Sequence, residues 1–344
     1  MGTTAFINAL IVPPPGSSAG EPRLTTLRFD RRRILSIDKA PVRGDRVIDL
    51  TGCAVYPGLI NAHDHLELNH YPRTKFREVY TNAAQWSADF TPRLQTEPFR
   101  TLRQWPLIEQ CRIGGQKNRQ SGVTLVAHHN PLHAPLRRPD FPVRVLQRYG
   151  WAHSFALECD LTASYRRTPR GAAWFVHLAE GTDSAAAGEL TQLDRLSLLC
   201  SNTVLIHGVG LSESDRQRAI LAGAGLVWCP SSNLFLLGAT ADVGMFAQAH
   251  RLALGSDSRL TADGDLLDEL RAAYTTGQLT PAQLFRAVTI DAAALVGMPG
   301  AGDLVVGSLP DFMIVRALPA DPIQSIVSLH SSDLVAVWLR GNAD

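Results

Sequence analysis

The chain has almost no lysine. Lys39, Lys75 and Lys117 are the only ones in 344 residues, and arginine supplies nearly all of the positive charge. Net charge is lacking too: 33 basic residues face 32 acidic ones, a formal +1. That balance removes any bulk electrostatic reason to bind nucleic acid or an anionic membrane. No apolar run approaches a transmembrane span. The opening MGTTAFINALIVPPPG has no basic stretch and too short an apolar run for a secretory signal. Five cysteines (Cys53, Cys111, Cys159, Cys200, Cys229) are scattered without C-x-x-C spacing. They read as reduced thiols of a cytoplasmic protein.

What is present fits a globular protein: 45% hydrophobic and 19% charged residues. The length suits one large domain with a smaller one. Short strand-like runs at 4–12, 24–37 and 47–50 are punctuated by PPPG and GEP. From 55 to about 298, apolar runs alternate with helical patterns such as SESDRQRAILAGA (212–224) and DGDLLDELRAAY (263–274). The runs are VYPGLINAH, GVTLVAHH, SFALE, AWFVHLAE, TVLIHGV, GLVWCP and LALGSD. Most are apolar throughout and end in a polar or titratable residue, as buried parallel strands do. Strand–helix alternation means α/β with a parallel sheet, and at this length a (β/α)8 TIM-type barrel is the leading closure. The stretch between His129 and Trp174 should hold two of its strands. After residue 300 the pattern returns to β, so both termini should meet in one small β-domain.

Titratable groups close five of these runs: His63/His65, His177 with Glu180, His207, Asp257 and His128/His129. Two histidines spaced H-x-H on a strand point to the same face. A third histidine and a carboxylate from other strands would complete an N/O set suited to Zn²⁺, Fe²⁺ or Mn²⁺. A lone strand-end histidine is usually structural. The ordered set is what points to chemistry. Asp64, between the pair, should turn away into packing or a hydrogen bond. Of the adjacent His128 and His129, at most one can face the same mouth.

These residues carry a resemblance. From VYPGLINAHDHLE through SGVT, FVHLAEG, VLIHGVGLSESD, WCPSSNLFL and LALGSDSRL to LTPAQLFRAVTIDAAALVG and GSLPDFMIV, the chain resembles the amidohydrolase superfamily, in its cytosine-deaminase-like and chlorohydrolase-like branch. The resemblance implies a barrel over 56–298 and a small β-sandwich domain built from 1–55 plus 299–344. By position it implies His63, His65, His177 and Asp257 as metal ligands. Glu180 would be the proton shuttle, His207 would orient water or the scissile bond, and Asp257 would also take the proton of water. It implies a homo-oligomer, commonly a dimer.

No lysine beyond Lys117 is available to bridge two ions. Glu158 could bridge instead, but a substrate contact or a salt bridge is the preferred reading for it. One divalent ion per chain, zinc first and iron or manganese next, is therefore expected. Glu67, His70, His129 and Asn233 are further candidates for substrate contact. The segment 70–120, rich in arginine and aromatics, reads as a lid for an anionic or planar substrate or equally as a surface helix pair.

Three functions compete. The first is hydrolytic deamination of a cyclic amidine or nucleobase-like ring. The second is hydrolysis of an amide, lactam or imidate. The third is a catalytically inactive ligand-binding homologue. The intact titratable set weighs against the third. The partner expected is a small-molecule substrate, with no nucleic acid and no membrane.

Overall fold

The computed structural model describes residues 2–157, 160–262, 264–316 and 321–343. In chain order, five strands come first: β1 (Thr4–Ile11), β2 (Arg23–Phe29), β3 (Ile34–Ile37), β4 (Arg46–Asp49) and β5 (Cys53–Pro57). Eight strands follow: β6 (Leu59–Asp64), β7 (Val123–His128), β8 (Arg144–Val145), β9 (Gly150–Ala152), β10 (Trp174–Leu178), β11 (Thr203–His207), β12 (Gly225–Trp228) and β13 (Leu252–Leu254). The C-terminal region adds β14 (Phe312–Arg316), β15 (Leu334–Leu339) and β16 (Asn342–Ala343).

The two termini share one sheet of order β16-β15-β14-β5-β1-β2-β3, with β4 also on β1. β1 explains the branching. Its first half pairs with β4 and its end pairs with β5, across a register irregularity between Phe6 and Ala9. Asn8 takes a left-handed φ of 58° there. Such a bulge bends a strand and hands it from one neighbour to the next. Where a small β-sandwich was expected, the terminal strands are hydrogen-bonded into one continuous sheet. It holds Phe6, Phe29, Phe312 and Trp338 in edge contact within one apolar cluster. β5 runs to Pro57, two residues past the expected limit at 55, because it pairs along its length with β14.

The eight middle strands are parallel, in the orders β6-β7-β8 and β9-β10-β11-β12-β13. Both expected strands between His129 and Trp174 exist, as β8 and β9. The apolar run SFALE is not one of them. β9 is the three-residue GWA just upstream, and residues 155–157 form a turn. Ala156 and Leu157 line a cavity instead, which is why that run is apolar without being a strand. Glu158 lies outside the described residues. Both expected helices form, at Glu213–Leu221 and Leu266–Thr275, each opened by a capping box from Ser212 or Asp265.

Every residue of β6, β7, β10, β11 and β12 is buried. Along β10, Trp174, Val176 and Leu178 join one apolar cluster and Phe175 joins another, so His177 continues the Phe175 side. The loop after β13 folds back on β6: Asp257 N–H donates to the His63 carbonyl at 3.1 Å. Gly255 makes that approach possible, since a Cβ there would lie 2.6 Å from the His63 Cβ. Among the described residues no helix is long and apolar enough to cross a membrane.

Candidate metal centre

The C-terminal ends of β6, β10 and β11, with the turns after β7, β9 and β13, converge on one cluster of side chains. A register irregularity between Asn61 and Asp64 shifts the alternation of β6. His63 and His65 face the cluster, and Asp64 turns away as expected. Asp64 lies fully buried against Lys117 Nζ at 2.9 Å and accepts from Asn118 Nδ2 at 2.7 Å and Asn69 Nδ2 at 2.8 Å. Lys117 also donates to the Asp257 carbonyl at 3.0 Å. One buried ion pair thus ties β6 to the Asp257 turn.

The donors of two trios each lie within 4.8 Å of one another: His63, His129 and His177, and His63, His65 and Asp257. His177 Nε2 stands 3.3 Å from His63 Nε2, and Asp257 Oδ1 stands 3.8 Å from both His63 Nε2 and His65 Nε2. Tautomers follow from the outer bonds. His177 donates Nδ1–H to the His153 carbonyl at 2.9 Å, which leaves Nε2 as a lone pair facing His63. His129 donates Nε2–H to the Ala152 carbonyl at 3.0 Å, which leaves its buried Nδ1 without a partner.

Burial, then the neighbouring imidazoles, holds His63, His129 and His177 far below the ordinary histidine pKa. The rings are therefore neutral near pH 7, and lone pairs meet with no proton between them. A cation resolves that arrangement. Tetrahedral Zn²⁺ with N ligands at about 2.0–2.1 Å would place neighbouring donors roughly 3.3 Å apart, as the His63–His177 pair is. The residues present fit a divalent metal. His129 sits with this donor set; it is not among the residues lining the cavity, where substrate contact was expected of it. His128 turns the other way, to Glu67 at 3.7 Å.

Asp257 is shaped to be an anion. Burial pushes its pKa up, but His65, His207 and the bonds from Ser232 Oγ and Ser258 N–H outweigh it, and the net shift is downward. Its Oδ2 accepts from Ser232 and Thr261 at 2.8 and 2.9 Å, and Ser258 N–H reaches Oδ1 at 2.7 Å. Glu180 is the opposite case. Burial, then Asp257 and Glu189, raises its pKa well above the carboxylate range. His207 Nε2 lies 3.5 Å from Glu180 Oε1, and Asn233 Nδ2 lies 2.9 Å from His207 Nδ1. Val204 and Ile206 share the apolar cluster of Phe175, so simple alternation would turn His207 away from it. A left-handed φ of 75° breaks the alternation and aims the ring at the site.

The cluster floors a cavity of about 330 Å³. His65, His177, Glu180, His207 and Asp257 reach it, under walls that include Leu68, Trp86 and Leu260. No arginine or lysine is among the described lining residues, which weighs against the anionic-substrate reading of segment 70–120. Two of its arginines pair with its own acids at the surface, Arg77 with Asp89 and Arg100 with Glu97. The segment covers the site all the same, through Asn82 to Ser87.

Three of the expected substrate contacts are elsewhere. Glu67 accepts from Asn130 at 2.6 Å, His70 meets the Leu102 carbonyl at 3.1 Å, and Asn233 supports His207. Two residues that do line the cavity were not anticipated. His153 follows β9 and stacks on His177 at 4.6 Å, with burial pushing it down to about 4. Glu189 reaches back from the helix Ser184–Arg195 to the Ala179 N–H at 2.6 Å.

Known proteins bear on this geometry. A model of the amidohydrolase family matches residues 173–343. A 5-methylthioadenosine/S-adenosylhomocysteine deaminase of Natronomonas pharaonis is 26% identical, over 79% of this chain and 75% of its own length. The enzyme of that name from Syntrophobacter fumaroxidans is 25% identical over 88% and 82%. Among solved structures, a triazine hydrolase of Arthrobacter aurescens superposes with a TM-score of 0.81 at 16% identity, covering all of this chain and 94% of that one. An adenosine deaminase of Xanthomonas campestris with bound zinc superposes at 0.76 and 17%, over 99% and 92%.

Proposed function

Because this chain belongs to the amidohydrolase family and is a metal-dependent hydrolase acting on carbon–nitrogen bonds, we propose that it deaminates a neutral, planar amino-heterocycle of the aminopurine type. The observation that carries the reading is Glu180, its pKa raised by burial, facing Asp257, its pKa lowered by the histidines and hydrogen bonds around it, in a cavity with no cation among its described lining residues. The eight parallel strands, with the Asp257 turn bonded back onto β6, are read as one (β/α)8 barrel. The terminal sheet is read as a separate small domain, with its limit after Pro57.

His63, His65, His177 and Asp257 are the groups that would hold one divalent ion, zinc first, with His129 beside them. An ion held there supplies a water nucleophile near neutral pH. The chain's own groups do the rest. Asp257 Oδ1, anchored by Ser258 N–H, takes the proton of the attacking water. Glu180 gives its proton to the ring nitrogen next to the attacked carbon, which makes that carbon more electrophilic and neutralises the charge that addition places on the nitrogen. His207, neutral because burial pushes it down to about 4, presents Nε2 beside Glu180 and steadies the oxygen that becomes the carbonyl. The exocyclic amine leaves as ammonia once Asp257 hands it the proton taken from water, and Glu180 recovers a proton from the new oxygen as the carbonyl forms. Trp86 offers a flat apolar wall to a ring, and the absence of lining cations disfavours a phosphorylated substrate.

Metal analysis on gently purified protein, followed by ammonia release across adenine nucleosides, pyrimidines, triazines and cyclic amidines, tests the proposal. Near one ion per chain with ammonia from a purine-type ring is the expected result. A metal-replete chain that opens amides or lactams but releases no ammonia from any heterocycle would sink it.

A further inference from the structure

A second recess lies at the other end of the strands. It encloses about 390 Å³ and is bordered by five arginines: Arg137, Arg138, Arg144, Arg148 and Arg340. Ala172 also lines it and lies two residues before the start of β10, whereas His177 is the next-to-last residue of that strand. At about 3.3 Å per residue the recess and the metal centre are roughly 15 Å apart, on opposite mouths of the parallel strands.

The charges around it do not balance. Asp311 takes Arg144 through two bonds, at 2.6 and 3.2 Å, and Asp140 takes Arg138 at 2.9 and 2.8 Å. The remaining three guanidiniums have no salt bridge among the described residues. Arg148 and Arg340 are held only by backbone carbonyls, those of Arg170 and Pro139. Carbonyls orient a guanidinium without neutralising it. Burial and the neighbouring Arg144 and Arg119 lower the pKa of Arg340 and outweigh Asp311, which raises it. The floor beneath them is apolar, with Leu125, Leu146, Val296 and Met298. Forked cations over an apolar floor in a recess of this size fit an oxyanion on a small hydrophobic body. Chain composition adds to this: with arginine in place of lysine, every cation here is a planar, bidentate donor.

We propose that this recess is a binding site for a small organic phosphate, separate from the metal centre. Its walls come from two parts of the fold. Arg340 stands between β15 and β16 of the terminal sheet, and Arg144 opens β8 of the parallel set. A bound phosphate would therefore clamp the terminal sheet to the strands and raise thermal stability through mass action.

Calorimetric titration of the metal-replete chain with phenyl phosphate tests this, with phenol and inorganic phosphate as controls. One site per chain is expected, with no binding of phenol and binding of inorganic phosphate at least tenfold weaker than that of phenyl phosphate. Arg137→Ala/Arg148→Ala should weaken binding at least tenfold and leave turnover unchanged. Arg148→Glu alone should act in the same direction, which guards against a double variant that folds poorly. Undiminished affinity in both variants, or phenyl phosphate that competes with substrate with the same constant, would place the anion at the metal centre and overturn the proposal. Binding of benzoate as tight as that of phenyl phosphate would overturn the preference for phosphate.

Discussion

Two of the buried ring clusters in this molecule are each built on an edge-on pair at nearly the same spacing. In the terminal sheet, Phe6 and Phe29 meet edge-on with centroids 4.7 Å apart, and Phe312 and Trp338 close the group. At the strand ends, His63 and His177 meet edge-on at 4.9 Å, and His65, His129 and His207 surround them. The chemistry differs. Phenyl rings ask for nothing beyond contact, so the first cluster stabilises the fold by itself. Neutral imidazoles that point lone pairs at one another are unsatisfied, so the second needs a cation to be at rest. The contrast teaches that close packing and completeness are separate properties. A cluster can be as dense as a core and still be waiting for a ligand.

The comparison breaks most sharply at His177. His177→Ala should empty the site of metal and abolish turnover, while the terminal sheet keeps its aromatic circular-dichroism signal. Full metal occupancy in that variant would remove His177 from the ligand set. Glu180→Gln is the next largest change. It should retain one ion per chain and lower kcat by roughly 10²–10⁴-fold, the range of a lost general acid. A variant that turns over normally would end the proton-shuttle role.

A matched pair of substitutions then separates packing from completeness. Phe6→Ala removes a ring from a dry core and should cost about 3–5 kcal/mol in urea unfolding. Lys117→Met leaves Asp64 buried without its cation and should cost about 3–5 kcal/mol as well. Only Lys117→Met should also weaken metal affinity, because Lys117 holds the Asp257 carbonyl. Equal metal affinity in the two variants would show that the ion pair does not position the ligands.

The same contrast marks what could be read in advance. His63 and His65 were legible because a period of two puts both on one face, and His177 because it ends a long apolar run. His207 was legible as the titratable end of an apolar run, and its role came from the resemblance. Alternation alone would have turned it outward, and only its left-handed backbone brings it in. His153 left almost no trace, since β9 is three residues long and the apolar SFALE beside it looks more like a strand. Lys117 reads as a surface lysine near the end of a polar helix. Nothing local shows that it faces Asp64, fifty-three residues away. The single bent sheet was hidden for a related reason: a bulge at Asn8 changes which strands meet without changing the apolar pattern. Residues whose roles depend on a distant partner or on an unusual φ are the ones that linear pattern cannot reach.

The smallest expected effect concerns Glu189, which borders both worlds. Its helix packs through Leu190 and Leu193 into the apolar core, and its carboxyl lines the cavity beside Glu180. Burial raises its pKa from 4.5 to about 7, against the Ala179 N–H that favours the anion. The folded chain therefore keeps a proton that the unfolded chain releases. The resulting stability is fully present below about pH 4.5 and is lost as pH rises through about 7. A shift of that size corresponds to about 3 kcal/mol, and water in the cavity screens part of it. Glu189→Gln keeps an acceptor for Ala179 and removes the titration. Urea unfolding at pH 5 and pH 8 should show the parent chain losing more stability than the variant over that interval. If both lose the same amount, Glu189 titrates as a solvated carboxylate and the raised pKa of Glu180 must come from burial and Asp257 alone.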